Sequence, residues 1–307
     1  MQDFFTVAQQ VAVLFILIAI GYICGKCRLI HEDASKVMAD IVLYFATPCV
    51  IIQSFQRELQ PELVTGLLLS MAASLGIHAL TILAAVLLIR DRDEARRRVL
   101  RFGMVFSNAG YMALPLQQAV LGSEGVFYGA AYVAVFNLVI WSWGLIEMSG
   151  STRSLSVKKL IINPGVIGLF VGALLFLGQV TLPEVIAAPV THLANLNTPL
   201  PMLIIGFYLS GTSVRKALQD RRALLTVFLR LVVVPLIMLG LLWICGIRGT
   251  VLVAIVIATS APVAAATTMF ATKYQADTSL SVNLVSLSTL LSIVTMPLIV
   301  ALAKVLS

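Results

Sequence analysis

Residues 107–115 read SNAGYMALP, and they interrupt an apolar stretch that runs from residue 99 to residue 121. Pro115 removes a backbone N–H and clashes with the carbonyl one turn earlier, while Gly110 weakens the helix around it. Asn108 adds an amide with two donors and an acceptor. Because unpaired backbone groups in lipid cost several kcal/mol each, this stretch predicts a helix that is unwound against protein or a water-filled cavity.

The whole chain has the composition of a protein with many membrane spans. Of its 307 residues, 60% are hydrophobic and 11% are charged, and the mean hydropathy is +1.01. A soluble domain carries about a quarter charged residues, and one span needs about 20 apolar residues. We therefore predict an all-α integral membrane protein. The ten predicted spans lie near residues 7–26, 34–54, 62–89, 99–121, 124–148, 164–182, 185–212, 223–246, 249–271 and 279–303.

The positive charges occupy alternate loops. Seventeen of the 21 Lys and Arg residues lie within 26–36, 90–101, 153–159, 215–222 and at Lys273. By the positive-inside rule these loops face the cytoplasm, and both termini lie outside. The net charge of +7 is thereby explained by topology and by contact with membrane lipid, so no nucleic-acid partner is expected.

The two halves of the chain repeat each other at an offset of 153 residues, with five predicted spans in each half. Pro48 meets Pro201 at this offset. Because an odd number of spans precedes the second half, that half enters the membrane in the opposite orientation, as in many secondary transporters. The sequence predicts two inverted five-helix repeats, 1–150 and 151–307.

The repeat brings a second interruption with it, in the ninth span. Residues 258–274 read ATSAPVAAATTMFATKY, and Ser260 and Pro262 fall within the part that matches SNAGYMALP. Interrupted spans at matching positions of two repeats indicate a transport site, and the N-terminus of a half-helix favours an anion. A proline kink filled by packing is the alternative. The candidate substrate-binding residues, which include one asparagine of the fifth span, are Ser107, Asn108, Gly110, Pro115, Asn137, Ala261, Pro262 and Val263.

Other residues inside the spans are candidates for coupling and gating. His78 lies in the third span, where it could carry a coupled proton; a histidine bonded to a neighbouring helix is the alternative. Pro48, Pro199 and Pro201 predict kinks or gating bends. Arg230, near the start of the eighth span, is expected to extend its side chain to the cytoplasmic side.

Catalytic and metal-binding patterns are not found in the sequence. Cys24 and Cys27 form a CxxC motif, but no further ligands cluster near it, so we expect neither a metal site nor a cofactor. The chain has no HExxH, GxSxG or phosphate-loop motif. These observations disfavour an enzyme and an ATP-driven permease.

Several stretches carry a recognisable pattern. Residues 104–125 read MVFSNAGYMALPLQQAVLGSEG, residues 130–144 read AAYVAVFNLVIWSWG, and KKLIINPGVIGLFVGALLF, LNTPLPMLIIGFYLSG and MFATKYQAD follow later. The first stretch is similar to the Asn-x-Gly-x-x-x-x-Pro segment of the auxin efflux carrier family. The second resembles the family's fifth span, with Asn137 at its asparagine. The chain as a whole resembles the bacterial branch of that family.

The resemblance implies a fold and a function. It implies a scaffold domain and a transport domain, each with helices from both repeats, whose broken helices 4 and 9 cross near Pro115 and Pro262. Family members move small organic anions, namely auxin in plants and malate or malonate in some bacteria. The implied protein is a secondary active transporter of mono- or dicarboxylates in the bacterial inner membrane. It works by elevator-type alternating access, and a monomer and a homodimer both remain open.

Related proteins leave two further alternatives. The bile acid–sodium symporters share the implied fold and couple transport to sodium. Here the ninth-span crossover offers only the hydroxyl groups of Thr259, Ser260, Thr267 and Thr268 and no carboxylate, so sodium coupling is disfavoured relative to proton coupling. A non-transporting membrane sensor is the other alternative. The sequence names neither the substrate nor the direction of transport.

Overall fold

The computed structural model describes residues 2–154, 163–211 and 218–307, and within these ranges every regular element is a helix. Four of the basic residues used for topology, Lys158, Lys159, Arg215 and Lys216, lie outside the described ranges. In chain order the helices are α1 (Gln2–Lys26), α2 (Glu32–Ser54), α3 (Pro61–Leu88), α4 (Glu94–Val105), α5 (Ala109–Ser149), α6 (Pro164–Leu177), α7 (Glu184–Ala194), α8 (Pro199–Ser210), α9 (Arg221–Ile244), α10 (Gly249–Ser260), α11 (Ala266–Lys273) and α12 (Thr278–Leu306).

Six of the described helices are long and apolar enough to cross a membrane: α1, α2, α3, α5, α9 and α12. The apolar helices α6 and α10 are shorter. α5 is interrupted at Gly122, whose φ of 66° and ψ of −157° divide it into segments 109–121 and 123–149. The prediction of an all-α membrane protein is confirmed, and each of the ten predicted spans overlaps one helix or two neighbouring helical segments. The inverted repeat stays a prediction.

Three of the long helices widen for one turn shortly before a proline. A proline lacks the N–H of the helical ladder, and its ring clashes with the carbonyl one turn back. A π-helical turn relieves this clash, so the helix continues instead of ending. These turns are Val42–Ala46, Ala109–Ala113 and Leu229–Val233, and the prolines two residues beyond them are Pro48, Pro115 and Pro235.

The seventh predicted span is interrupted more completely. α7 ends at Ala194, a 3₁₀ turn follows over Asn195–Asn197, and α8 begins at Pro199. Proline is well suited to the first position of a helix because the N–H it lacks has no intrahelical partner there. Pro199 therefore starts a new helix, whereas Pro48 lies within a continuous one.

α1 and α8 approach each other closely because glycines face their contact. A Cβ atom placed on Gly21 would lie 2.3 Å from the carbonyl oxygen of Leu203, and one on Gly206 would lie 2.0 Å from the carbonyl oxygen of Ile18. Any side chain at either position would push the two backbones apart. Small residues at helix contacts are typical of membrane proteins, where close packing replaces the hydrophobic driving force.

α2 is joined to α7 and to the turn that follows α7 by buried polar contacts. Thr47 Oγ1 donates to Asn197 Oδ1 at 3.0 Å, and Gln53 Nε2 donates to Thr191 Oγ1 at 2.9 Å. α2 also packs along α6. Helices from the first half of the chain are thus bound directly to helices from the second half.

An ionic cluster gathers three loops at one end of the molecule. Arg96 lies 2.5 Å from Asp220, 3.4 Å from Asp91 and 3.7 Å from Asp277, and Arg222 lies 2.5 Å from Asp91. Partial burial by itself raises the pKa of Asp91 and of Asp220, but the arginines outweigh it, so both pKa values are lowered. The basic loops before α4 and α9 therefore share one end of the protein.

Two carboxylates of this cluster also cap the N-termini of helices. Asp220 accepts hydrogen bonds from the N–H groups at the start of α9, and Asp277 accepts from Leu280 N at 2.8 Å at the start of α12. A side-chain oxygen at this position satisfies a donor that the helix itself leaves unpaired. Asp277 is therefore the N-cap residue of α12.

Candidate functional site

The gap between α4 and α5 and the gap between α10 and α11 lie side by side. They form an isolated antiparallel β-bridge with Ser107 opposite Val263. The N–H of Asn108 donates to the carbonyl of Pro262 at 2.7 Å, and the N–H of Ala264 donates to the carbonyl of Phe106 at 2.9 Å. The backbone groups that leave the helices at these gaps are thereby paired with each other, as a membrane interior requires.

Most of the predicted substrate-binding residues lie at this junction. Pro115 lies one turn farther into α5, and Asn137 lies in its second segment. The side chains of Ser107, Ala261 and Val263 are fully buried. The predicted residues that flank the junction are Ser107, Asn108, Gly110, Ala261, Pro262 and Val263.

Asn108 carries an unpaired polar group at the junction. Its side chain is 5% exposed, and its Nδ2 atom has no hydrogen-bond partner among the described residues. An unsatisfied buried donor costs about 1–3 kcal/mol. No described residue uses this donor, so it is available to a ligand.

Open space lies beside Gly110, two residues after Asn108. A Cβ atom placed on Gly110 would meet no atom within 4 Å. Two backbone donors near Gly110 are bound within the segment. The Ala109 N–H donates to the Ser107 carbonyl at 2.8 Å, and the Met112 N–H donates to the Asn108 carbonyl at 3.0 Å. None of the backbone bonds that join this segment to the preceding residues uses the N–H of Gly110.

The corresponding N–H groups of the ninth span are engaged within the protein. Val263 N–H donates to Ser288 Oγ in α12 at 3.1 Å, and Ala264 N–H takes part in the bridge described above. Pro262 has no N–H to offer. The Val263 and Ala264 N–H groups are therefore bound to the protein, in contrast with the N–H of Gly110.

Arg230 does not reach the cytoplasmic side as its sequence position suggested. Its side chain is 1% exposed. The guanidinium donates to the carbonyls of Met104 and Val105 at 3.4 Å, to that of Ala261 at 3.4 Å and to that of Thr259. The expectation was wrong because the ends of α4 and α10 present carbonyl groups that satisfy the guanidinium more fully than a route to the surface.

Asn137 is bound to the beginning of α6. Asn163 Nδ2 donates to Asn137 Oδ1 at 3.1 Å, while Asn163 Oδ1 accepts from Gly165 N at 2.9 Å. Among the described residues no hydrogen bond joins Asn137 to Asn108. The sequence analysis overlooked Asn163, although Asn followed by Pro164 is typical of a helix start.

His78 belongs to α3, and its side chain is buried against α5. Its Nδ1 donates to the Ser74 carbonyl at 2.7 Å, and its Nε2 is buried without a partner among the described residues. The bond lies within α3 and does not join His78 to a neighbouring helix. The ring of Tyr132 lies 5.3 Å from the imidazole ring, and the Tyr132 hydroxyl lies 3.4 Å from Ser107 Oγ. A short chain of side chains thus links His78 to the junction.

Two of the four hydroxyl groups of the ninth-span crossover bond to their own helix, and Thr268 Oγ1 accepts from Ser281 Oγ of α12 at 3.4 Å. Thr259 Oγ1 donates to the Ile255 carbonyl at 3.0 Å, and Ser260 Oγ donates to the Ile257 carbonyl at 3.0 Å. Thr267 Oγ1 is buried without a partner among the described residues. In the same part of the chain no group of three or more His, Cys, Asp and Glu side chains is placed to hold a metal ion.

Comparison with known proteins covers nearly the whole chain. A family model described as membrane transport protein matches residues 6–300. The chain is 26% identical over 295 residues to an uncharacterized transporter of Methanothermobacter thermautotrophicus, with 94% of this chain and 96% of that protein covered. It is 22% identical over 298 residues to an uncharacterized transporter of Methanocaldococcus jannaschii, with the same two shares. Both interruptions lie within the matched region.

Proposed function

Because the chain belongs to the membrane transport protein family, that of the auxin efflux carriers, we propose that it is a secondary active transporter of small organic anions. The observation that carries the proposal is the meeting of two helix interruptions at a buried junction where Asn108 Nδ2 has no partner among the described residues. Paired interruptions of this kind hold the substrate in many secondary transporters. The relatives, which are named transporters, support transport over catalysis.

The substrate carboxylate binds on the fourth-span side of the junction. Asn108 Nδ2 donates to one carboxylate oxygen, and the Gly110 N–H at the beginning of α5 donates to the other. The positive end of the helix dipole attracts the negative charge. The empty space beside Gly110 accommodates the rest of a small mono- or dicarboxylate. Pro262 and Val263 form the opposite wall.

Transport requires one part of the protein to move against the other. We assign α1, α2, α6, α7 and α8 to a scaffold because glycine contacts and buried hydrogen bonds tie these helices together. The remaining helices form the transport domain, which carries the junction and moves in an elevator-type cycle. In this scheme ten spans form two inverted repeats, 1–150 and 151–307, and Pro48, Pro199 and Pro201 supply the bends.

Orientation and coupling follow from the charges. The loops gathered around Arg96 are the basic ones, so we place them in the cytoplasm and both termini outside a bacterial inner membrane. His78 supplies the coupled proton site because its Nε2 is unpaired near Tyr132, which reaches Ser107. Sodium is disfavoured because the ninth-span crossover offers no carboxylate and the hydroxyls of Thr259 and Ser260 bind their own helix.

A thermal-shift screen of the purified full chain tests the proposal. Small mono- and dicarboxylates are added with and without sodium, and a ligand at 100 times its dissociation constant adds about 2.7 kcal/mol of apparent stability. We expect a stabilising carboxylate whose effect is lost in Asn108→Ala. The matched control is Asn195→Ala, which removes an exposed amide from the turn before α8.

Uptake into proteoliposomes follows for any carboxylate that stabilises the protein. We expect saturable uptake by the wild type and by Asn195→Ala, and none by folded Asn108→Ala. Undiminished uptake by Asn108→Ala would remove Asn108 from the site. Uptake by His78→Gln that kept its full response to a pH gradient would exclude His78 as the proton carrier, and conversion of the probe in detergent would indicate an enzyme.

A further inference from the structure

Arg230 is a buried positive charge for which the transport cycle described above has no use. It lies in the π-helical turn Leu229–Val233 of α9, deep inside the protein. Among the residues that the structure describes, no carboxylate lies within ion-pair distance of it. A buried charge is costly unless something compensates it. The compensation here comes chiefly from backbone carbonyl groups, with the Tyr132 hydroxyl beside them.

The guanidinium lies between the C-terminal ends of two helices. Met104 and Val105 are the last residues of α4, while Thr259 and Ala261 flank the end of α10. All four present carbonyl oxygens to Arg230. The last carbonyls of a helix have no intrahelical donor, so the guanidinium satisfies groups that would otherwise be unpaired in the membrane. The planar fork of arginine can reach both helix ends at once, which a lysine cannot do.

The charges at the junction can be counted from the helix dipoles. Each helix C-terminus carries about −0.5 elementary charge, so the ends of α4 and α10 together offset the single charge of Arg230. The N-termini of α5 and α11, which begin at Ala109 and Ala266, each carry about +0.5. Their charge stays uncompensated, because the residue before α5 is the neutral Asn108 and the residue before α11 is Ala265.

We propose that Arg230 is the positioning residue that makes the junction selective for a single carboxylate group. It cancels the negative helix ends, so the surplus of about one positive charge from the two N-termini acts on the substrate alone. The unpaired Asn108 Nδ2 and the space beside Gly110 are the independent signs that a ligand belongs there. This inference rests on the proposed function and adds the residue that sets the charge selectivity of its site.

The test compares a carboxylate with its uncharged methyl ester. The dissociation constants of both probes are measured on purified full-length protein, using the carboxylate that best stabilises the wild type. The ratio of the ester constant to the carboxylate constant reports charge selectivity. We expect a ratio of at least about tenfold in the wild type and a fall of about tenfold in Arg230→Gln, with the ratio kept in Arg230→Lys. The control is Arg248→Gln, which removes an exposed arginine whose guanidinium binds the carbonyls of Trp243 and Ile247.

A second pair of variants neutralises Arg230 without removing it, in case Arg230→Gln does not fold. Thr226 is buried one helical turn before Arg230, and its Oγ1 has no partner among the described residues. Thr226→Asp places a carboxylate on the same helix face, whereas Thr226→Asn has the same shape without the charge. We expect the ratio to fall in Thr226→Asp and to stay unchanged in Thr226→Asn.

The outcomes separate this inference from the proposed function. If Arg230 only holds the two helices together, the dissociation constants of carboxylate and ester rise in parallel in Arg230→Gln, and their ratio does not change there or in Thr226→Asp. That result overturns the inference while the transporter assignment stands. If no carboxylate binds the wild type at all, both proposals fail together. A carboxylate that binds the wild type no better than its ester overturns the charge selectivity alone.

Discussion

The interruption between α4 and α5 and the interruption between α10 and α11 occupy matching places in the two halves of the chain, yet they differ in what they leave open. In the first, Asn108 Nδ2 is unpaired among the described residues and Gly110 borders empty space. In the second, residues 261–263 are enclosed and the Val263 N–H is held by Ser288. In our proposal the first interruption serves recognition and the second serves support.

Exchanging the side chains of the two interruptions tests this comparison most strongly. Val263→Asn buries an amide without partners, which costs about 1–3 kcal/mol, and loses the burial of a valine side chain worth about 1.5–3 kcal/mol. We expect a loss of about 3 kcal/mol in the free energy of unfolding. Asn108→Val removes an amide nitrogen that has no partner among the described residues, so we expect its stability to change by less than about 1 kcal/mol while carboxylate binding disappears.

Chemical unfolding in detergent measures the stability of both variants, and the thermal-shift screen measures their binding. The assignment of support to the ninth span requires Val263→Asn to be the less stable of the two. If Asn108→Val proves to be the more damaging change, the fourth-span interruption is the structural one and the comparison is reversed.

Removing the acceptor of the Val263 N–H sharpens the comparison. Ser288→Ala leaves this buried donor unpaired, which costs about 1–3 kcal/mol. The matched control is Ser292→Ala, one turn later in α12, because Ser292 Oγ donates only to the Thr289 carbonyl of its own helix at 2.6 Å. We expect thermal unfolding to show a clear loss for Ser288→Ala and a smaller one for Ser292→Ala. Equal losses would mean that the bond to Val263 contributes nothing.

Filling the space beside Gly110 separates binding from stability. Gly110→Ala meets no atom within 4 Å, and alanine in a helix is favoured over glycine by about 0.5–1 kcal/mol, so the protein keeps or gains stability. We expect the KM for the carboxylate to rise severalfold because the methyl group occupies substrate space. In contrast, Gly103→Ala would place a Cβ 2.4 Å from a methyl carbon of Leu284 and should lower stability. An unchanged KM for Gly110→Ala would exclude this space from the site.

The smallest effect is expected from pH, at the ionic cluster around Arg96. The pKa of Asp220 lies below its ordinary value of 3.8 because Arg96 outweighs the opposing effect of partial burial. A lowered folded-state pKa means that the carboxylate contributes stability above about pH 4 and that this contribution is lost as the pH falls through the lowered value. We expect unfolding at pH 3 to be easier than at pH 6, with a weaker pH dependence in Asp220→Asn.

The control for this pH effect is Asp33→Asn, which removes a carboxylate that is 88% exposed and should leave the profile unchanged. The same experiment also compares the two arginines, Arg230 at the junction and Arg96 in the loops. Arg230 at the junction is balanced by carbonyl groups that do not titrate, whereas Arg96 is balanced by carboxylates. A pH profile that survives in Asp220→Asn would show that the acid sensitivity arises elsewhere.

Local sequence patterns predicted the interruptions because their causes are local. A proline acts on the turn before it, so Pro115 and Pro262 could be recognised as breaks without any knowledge of their neighbours. The helix start at Asp277 was recognisable for the same reason, since a capping side chain bonds to N–H groups only a few residues away. The structure added that Pro115, like Pro48 and Pro235, follows a widened turn, whereas Pro262 follows the end of an ordinary α-helix.

Partners that are distant in the chain could not be predicted. Arg230 receives its four acceptors from α4 and α10, about 125 residues before it and about 30 residues after it. Asn137 meets Asn163 across the 1–150 and 151–307 boundary, and Val263 meets Ser288 on another helix. No spacing rule relates such residues, because their distance depends on how the helices pack.

By itself, the sequence determined that this chain is an all-α membrane protein and that two of its apolar stretches are interrupted. These properties follow from transfer free energy and backbone sterics, which act within about one helical turn or one span. Only the tertiary structure decided that the two breaks meet, that Arg230 joins their helix ends and that Asn108 is left with an unpaired amide nitrogen. The physical reason is that in lipid every polar group must be satisfied by protein, so its role is set by the helices that surround it.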